Sequence, residues 1–476
     1  MPEPEMFPVA VLGGGPGGYA AAFLAADLGL RVALIDPEAN PGGVCLYRGC
    51  IPSKALLHVA SLLREAQDAK KMGVDFGKPG VDLDRMRSWK DGVVERLTGG
   101  LGQLSKRRKI TYIRGTGAFA DAQTLDVALA EGGTRRISFG HAIVATGSRP
   151  ASIPSLSIDS PRVMDSTSAL ALEDVPGTLL VVGGGYIGLE LGSVYAALGS
   201  RVSVVEMLPG LLPGADRDLV AVLEKRIGST FESVMVDTVV AGMSAHKGGV
   251  SVSFEGGNAP EKTVTYEKVL VSVGRKPNSS GLGLENTRVR VTDRGFIEVD
   301  AARRTAEPSI FAIGDVVGEP MLAHKASHEG RVAAEAIAGR KVAFEPAAIP
   351  AVIFTDPEIA WCGLTEEQAE ERGRDVKVAK FRWGASGRAT TLERNDGLTK
   401  LVVDPSNDRV LGVAIAGVGA GDMIAEGVLA IEMGALVSDV ALTIHPHPTL
   451  SETVMEAAEV FYGQSTHVYR PRRDKK

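Results

Sequence analysis

VAVLGGGPGGYAAAFLAADLGLRVALID, residues 9–36, decides the fold of this chain, because the same pattern returns at residues 179–206 as LLVVGGGYIGLELGSVYAALGSRVSVVE. The offset is a constant 170 residues: Gly13, Gly15 and Gly18 match Gly183, Gly185 and Gly188, and Asp36 matches Glu206. Each copy reads as a short apolar strand, G-x-G-x-x-G, an Ala- and Leu-rich helix, a glycine stop and a second strand ending in an acid. The first glycine permits a tight turn, the second lets backbone approach a pyrophosphate, and the third lets helix pack on strand. The helix N-terminus adds unpaired N–H groups and partial positive charge. Asp36 and Glu206 are then placed to accept hydrogen bonds from ribose hydroxyls. One such glycine triplet is weak evidence, but two whole βαβ units at one offset imply two bound dinucleotides.

Glu206 also bears on which nicotinamide nucleotide the second unit takes. A carboxylate repels a 2′-phosphate, which normally wants an arginine nearby. The next residues, MLPGLLPG, contain none, which favours NAD over NADP; Arg201 and Arg217 are the nearest arginines in the sequence.

At 476 residues the chain predicts roughly two to four domains of about 100–200 residues each. Hydrophobic residues at 44% and charged residues at 23% are ordinary for a globular protein and argue against disorder or a coiled coil. The 57 glycines are clustered rather than periodic, as tight turns and close ligand approach require, so collagen is excluded. A net charge of −6 argues against a nucleic-acid partner. The start, MPEPEMFPVAVLGGG, has neither a basic leader nor a small-residue cleavage site, so a cytoplasmic protein is expected. Residues 179–199 are apolar enough to score as a membrane span, yet they contain Glu190 and six glycines, so they read as buried strand, turn and helix and no membrane partner is expected.

Two of only three cysteines, Cys45 and Cys50, lie in VCLYRGCIPSK, residues 44–54. Such a pair is redox-active or metal-binding more often than structural. A zinc site would want further ligands; His58 is the nearest histidine and Cys362 stands alone, an inert core or surface thiol, so no metal is expected. On a regular helix residues i and i+5 are separated by about 500° of rotation and roughly 8 Å, too far for a disulfide. A helix carrying this pair must therefore be distorted, most cheaply at Gly49, with Pro52 able to open the next regular turn. Strained disulfides are the labile ones, and the Lys54 cation is placed to lower a thiolate pKa.

GGVCLYRGCIPSK, residues 42–54, resembles the signature of the flavin disulfide reductases. IVATGSRP (143–150) and VSVGRKPN (271–278) are similar to that family's crossing strands after the two nucleotide units, IFAIGDVVG (310–318) to its second flavin motif, and HPHPTLSE (445–452) to its C-terminal catalytic motif. The resemblance implies an α/β fold of two Rossmann-like FAD- and NAD(P)-binding domains with a C-terminal α+β dimerisation domain. It implies a flavin domain at 1–150 with the redox disulfide, an NAD domain at 151–281, a central domain at 282–350 completing the FAD site, and an interface domain at 351–476. Val44, Tyr47 and Arg48 depart from the usual signature, which has threonine before the first cysteine and asparagine-valine between the two.

The implied cofactors are FAD, held by Gly13, Gly15, Gly18, Asp36, Lys54, Thr146, Gly147 and Asp315, and NAD, held by Gly183, Gly185, Tyr186, Gly188, Glu206 and Gly274. The paired histidine resembles the branch acting on dihydrolipoamide more than the glutathione branch, and the tail lacks the vicinal cysteines of the mercuric branch. By resemblance, protein-bound dihydrolipoamide is oxidised by a Cys45–Cys50 disulfide. Cys45 exchanges with substrate, Cys50 faces the flavin, and electrons pass through FAD to NAD+. His447 is implied as base, with Glu452 orienting it, in preference to His445; Lys54 and Glu190 pair beside the flavin, and Tyr186 covers it. Thr449 and Glu452 also fit a T-x-x-E capping box, and one carboxylate is not expected to serve both roles fully. Implied partners are a second copy, whose histidine completes the site, and a separate lipoyl-bearing acyltransferase or glycine-cleavage carrier protein of a 2-oxo acid dehydrogenase-type complex. A flavin oxidase or a dinucleotide sensor would need neither the cysteine pair nor the histidine motif. A reductase of another disulfide, drawing on NAD(P)H, is the nearer rival, and Glu206 is set against its NADPH form.

Overall fold

Strand Glu5–Leu12 is buried through its C-terminal half and lies between two parallel neighbours, Val32–Asp36 and Thr134–Val144. Strands covered on both faces by helices are expected to read as unbroken apolar runs, and VALID is buried at every position. The computed structural model describes residues 4–260 and 262–469. Its first sheet runs, in parallel, Thr111–Asp121, Val32–Asp36, Glu5–Leu12, Thr134–Val144 and Ile310–Ala312. Thr124–Leu129 joins the outer ends of two of these strands as an antiparallel ribbon. A strand from residue 310 onward thus closes a sheet begun at residue 5.

The second unit repeats the plan. Thr178–Val182 lies parallel to Arg201–Val205 and Lys268–Val271, with the helix Tyr186–Leu198 between the first two strands. The apolar window at 179–199 is therefore strand, turn and helix, as expected, and among the described residues no helix is long and apolar enough to cross a membrane. The glycine turns show why substitution is barred. Gly13 has φ +101°, where an added Cβ would sit 2.2 Å from the Ala145 carbonyl oxygen, and Gly183 has φ +107°, with the Ser272 carbonyl at 2.5 Å. Ser148–Pro150 and Arg275–Pro277, the stretches that leave the two units, pair antiparallel and tie them together.

The C-terminal part is a five-stranded antiparallel sheet in the order Ala351–Ile353, Glu358–Gly363, Val410–Gly417, Leu398–Val403, Lys377–Arg382. Helices Ala420–Glu432 and Glu452–Tyr462 pack against it. One apolar cluster joins this sheet, through Ile353, Ile359 and Leu398, to Leu179, Val181 and Leu189 of the second unit and to Leu56, Leu57 and Ala60 of the cysteine helix. A shared core of that kind fixes the relative positions of everything that meets at the cysteines.

An ionic clamp reinforces the junction. Lys400, fully buried in the C-terminal sheet, donates to Asp216 at 2.5 Å and Asp218 at 2.8 Å at the start of helix Arg217–Ile227, and lies 2.9 Å from Glu366. These three acids form a cluster with metal-like spacing, but the Lys400 and Lys380 ammoniums occupy it. Burial opposes the Lys400 charge, yet the carboxylates hold its pKa above the usual lysine value. Replacing Lys400 with Met leaves buried Asp216 without its cation, while Lys380 still holds Asp218 and Glu366. A loss of about 3–5 kcal/mol is expected, read as a lowered midpoint of chemical unfolding; an unchanged midpoint would show that the clamp adds nothing.

Candidate active site

The cysteine pair sits where helix geometry breaks. Helix Gly43–Arg48 carries Cys45 and stops at Gly49, whose φ of −143° and ψ of −115° are not helical; helix Cys50–Asp68 starts at the next residue. Pro52 falls in the first turn of that second helix, where its missing N–H leaves no bond unmade. A Cβ on Gly49 would lie 2.8 Å from the Val44 carbonyl oxygen. The break brings Cys45 and Cys50 side by side, both as free thiols, close enough for each to shift the ionisation of the other. The hydrogen bond from Cys45, with help from the Lys54 charge, lowers the Cys50 pKa to about 7 against the effect of burial. Cys45, which acts as donor to Cys50 and is partly desolvated, is raised. Cys362 is remote from this chemistry, in strand Glu358–Gly363, with burial pushing its pKa up to about 12.

Cys45 and Cys50 line a cavity of about 540 Å³ that also takes in Gly13, Gly15, Asp36, Thr146, Gly147 and Asp315. Lys54, Glu190 and the 40% exposed Tyr186 form the wall contributed by the cysteine helix and the second unit. Glu190 is only 3% exposed, and its oxygens accept from Lys54 Nζ at 2.7 Å, Ser53 Oγ at 3.1 Å and the Phe354 N–H at 3.0 Å. The expected Lys54–Glu190 pair is present; Ser53 and Phe354 gave no signal in the sequence. The Lys54 ammonium also stands 4.5 Å from the centre of the Phe354 ring.

Both acids that close the βαβ units do more than wait for ribose. Asp36 accepts the Gly14 N–H at 2.6 Å and the Glu38 N–H at 2.9 Å, while Glu206 accepts the Gly184 N–H at 2.6 Å and the Leu208 N–H at 2.8 Å. Each pins its own glycine turn. Burial raises the Asp36 pKa, with the Gly14 N–H acting in the opposite direction. The turns also carry room for a ligand: a Cβ on Gly185 would meet nothing within 4 Å, and one on Gly15 only Gly43 Cα at 3.9 Å. That cradle fits a dinucleotide pyrophosphate. Gly18 and Gly188 instead face backbone, with added Cβ atoms 1.8 Å and 2.5 Å from the Gly13 and Gly183 carbonyl oxygens. The second turn, with Gly183, Gly185, Gly188, Glu206 and Gly274, lies outside the cavity's lining.

The arginines near Glu206 are not available to a 2′-phosphate. Arg217 donates to the carbonyls of Leu211, Leu212 and Ala215, and Arg201 sits at the opposite end of its strand from Glu206. Asp315 accepts from Ser148 Oγ at 2.5 Å, and Ser148 Oγ accepts from Arg275 Nε at 2.7 Å. The turn before Asp315 is held by fully buried Glu329, which accepts the Gly314 N–H at 2.6 Å and pairs with Arg303 and Lys325, both at 3.0 Å. Ser148, Arg275 and Glu329 were likewise not legible as site residues.

The histidine motif separates into two unlike residues. His445 is held by Glu426 on Nε2 at 2.7 Å and by the Thr443 carbonyl on Nδ1 at 2.8 Å, which leaves neither nitrogen open. His447 is 73% exposed at its side chain and bonds through Nδ1 to Glu452 Oε1 at 2.8 Å. Because an ionised carboxylate only accepts, Nδ1 carries the proton and Nε2 is the basic nitrogen. Although burial opposes its ionisation, the Thr449 N–H and His447 together hold the Glu452 carboxyl below its usual range. The expectation that Glu452 could not fully serve two roles is corrected: Oε2 takes the Thr449 N–H at 2.7 Å while Oε1 takes His447. The capping box is only half made, since helix Glu452–Tyr462 has Ser451 as its N-cap and Thr449 turns its hydroxyl to the Pro446 carbonyl. Within one chain His447 is not brought to the cysteines, for it is not among the residues lining their cavity.

Comparison with known proteins gives the family. Residues 7–330 match the family model described as pyridine nucleotide-disulphide oxidoreductase, and residues 349–458 match that family's dimerisation domain. The chain is 49% identical over 468 residues to a dihydrolipoyl dehydrogenase of Vibrio cholerae, covering 98% of each. It is 49% identical over 458 residues to one from Haemophilus influenzae, covering 96% of this chain and 95% of that one. Among solved structures, LpdA from Mycobacterium tuberculosis superposes with a TM-score of 0.88 at 27% identity, over 96% of this chain and 99% of that one.

The depressed Cys50 pKa predicts how the reduced apoprotein alkylates. Since the thiolate is the nucleophile, iodoacetamide labelling should rise with pH through a midpoint near 7 and fall on Cys50 before Cys45. Lys54→Met should move that midpoint upward. Peptide mass spectrometry reads both, and preferential labelling of Cys45 at pH 7 would contradict the assignment.

Proposed function

The chain belongs to the pyridine nucleotide-disulphide oxidoreductase family, and from that premise we propose that it acts as a dihydrolipoyl dehydrogenase, oxidising protein-bound dihydrolipoamide to lipoamide with NAD+ as acceptor. The observation that carries the reading is a cavity in which a cysteine pair, a Lys54–Glu190 pair with its carboxylate buried, and an open glycine cradle converge. FAD is the group assigned to that cavity, with Gly13, Gly15, Gly18, Asp36, Thr146, Gly147, Asp315 and Lys54 to hold it; when bound it supplies the two-electron carrier between the dithiol and NAD+. NAD+ is assigned to the second turn, with Gly183, Gly185, Gly188, Glu206 and Gly274, and Tyr186, which lines the first cavity, is assigned to cover the flavin there until the nicotinamide arrives. The division at residues 150, 281 and 350 belongs to the same proposal.

The cysteine chemistry follows from the two unlike thiols. His447 Nε2 removes a proton from one substrate thiol, and that sulfur attacks Cys45 of the oxidised pair. A substrate–Cys45 disulfide forms as the Cys45–Cys50 bond breaks, and Cys50 departs as thiolate. Its low pKa makes it the better leaving group, since a more acidic thiol leaves faster. The second substrate thiol, deprotonated in turn, closes the lipoamide ring and frees Cys45. Glu452 holds the His447 tautomer and stabilises the imidazolium. Lys54, anchored by Glu190, keeps a positive charge beside Cys50. Two electrons and one proton end on NAD+ as hydride, and the second proton is released through His447.

Because the lone chain keeps His447 away from its own cysteines, the base is assigned to the partner subunit of a homodimer, in line with the dimerisation domain. The lipoyl group is assigned to a separate acyltransferase or glycine-cleavage carrier protein. The test is NADH formation from dihydrolipoamide and NAD+. Rapid turnover is expected, with little on NADP+, lost in Cys50→Ser and reduced about 10²–10⁴-fold in His447→Gln. Co-expression of those two variants forms hybrid dimers with one intact site, so each hybrid should regain about half the wild-type activity. No recovery in isolated hybrids would place the base in the same chain as its cysteines.

A further inference from the structure

Tyr47 and Arg48, the two residues between the cysteines that depart from the family signature, point away from the substrate disulfide. Tyr47 Oη donates to the Asn40 carbonyl at 3.0 Å and accepts the Asn40 N–H at 3.3 Å. The Arg48 guanidinium pairs with Glu38. Both residues are thus bound to the loop that follows strand Val32–Asp36, at the end of the cavity where Asp36, Glu38 and Arg48 line one wall. Arg48 is close enough to Asp36 for its charge to favour that carboxylate, and among the described residues its Nε is inaccessible to water and without a hydrogen-bond partner.

The internal repeat shows what is peculiar about this wall. At the same offset the second unit has Leu208 where the first has Glu38, so the loop after the second strand carries an extra carboxylate in the first unit and an apolar residue in the second. A second carboxylate beside the ribose-binding acid adds negative charge near a bound diphosphate, and the helix N-terminus offers only about half a positive charge in compensation. Arg48 brings a full positive charge to this wall, with donors that suit phosphate or ribose oxygens. We propose that Arg48, set against Glu38, is a retention residue for the adenosine diphosphate half of FAD, strengthening a site that must hold its cofactor while the second site exchanges its own. The proposal rests on the assignment of FAD to this cavity.

The test uses apoprotein stripped of flavin, titrated with FAD by flavin fluorescence and with ADP by calorimetry. Arg48→Val should weaken both ligands by about tenfold, the effect of one partly exposed charge-assisted contact. Glu38→Gln distinguishes retention from simple loop support. It removes a repelling carboxylate and frees Arg48, so both ligands should bind as well as or better than in wild type, whereas mere loop support predicts weakening in both variants. Unchanged FAD and ADP affinity in Arg48→Val, or weakening in Glu38→Gln, overturns the proposal. Wild-type apoprotein that takes up neither FAD nor ADP would instead overturn the cofactor assignment on which it rests.

Discussion

A carboxylate buried to 3% exposure is tolerable only if its charge is matched, and Glu190 is matched from two other parts of the chain at once. Ser53 and Lys54 reach it from the cysteine helix, and the Phe354 N–H from the strand that opens the C-terminal sheet. Those donors are 137, 136 and 164 residues away in sequence. Ser53 and Lys54 are also within about one helical turn of Cys50, so Glu190 sets the position of the thiol as well as of the ammonium. The apolar cluster around it, running from Leu56 through Leu189 to Ile359, keeps these three pieces from shifting independently.

Duplication of a βαβ unit gives two sites with one set of rules. Asp36 and Glu206 each spend backbone-facing lone pairs on the turn they close, which makes the cradle rigid before any ligand arrives. Much of what separates the sites lies outside the repeat itself: the cysteine helix, Asp315 from the late strand, and the loop bearing Glu38 surround the first, while Arg217 is tied to backbone carbonyls near the second. The repeat makes two nucleotide folds; the surroundings make them unequal.

What could be read from the sequence divides along the same line. The glycine turns, the break at Gly49 and the acids at 36 and 206 were legible because their causes are local: backbone conformation, helix geometry and a fixed spacing. The partners of Glu190 and Asp315 were not, since Ser53, Phe354, Ser148 and Arg275 are common residue types whose meaning comes only from long-range packing. His445 and His447 are two positions apart and look alike in sequence. What distinguishes them is Glu426, nineteen residues upstream, which closes His445 and leaves His447 Nε2 open. The expectation for Glu452 failed for a simpler reason: a carboxylate has two oxygens, and here they face different donors.

His447 lies on a surface that a solitary chain would leave in water at some cost. Leu442 and Ile444, just before it, are 80% and 95% exposed, and Leu429 on the helix Ala420–Glu432 and Met433 just past its end are 62% and 76% exposed. Apolar side chains so placed, within the span that matches a dimerisation domain, belong against another surface. In the proposed mechanism the same contact that covers them carries the open imidazole nitrogen to the cysteines of the neighbouring subunit. Burial of Leu442 and Ile444 and completion of the proton path are then one event, so the free energy of association also orients the base. A chain with an intact fold and a filled first cradle would still lack half of its chemistry until that contact formed.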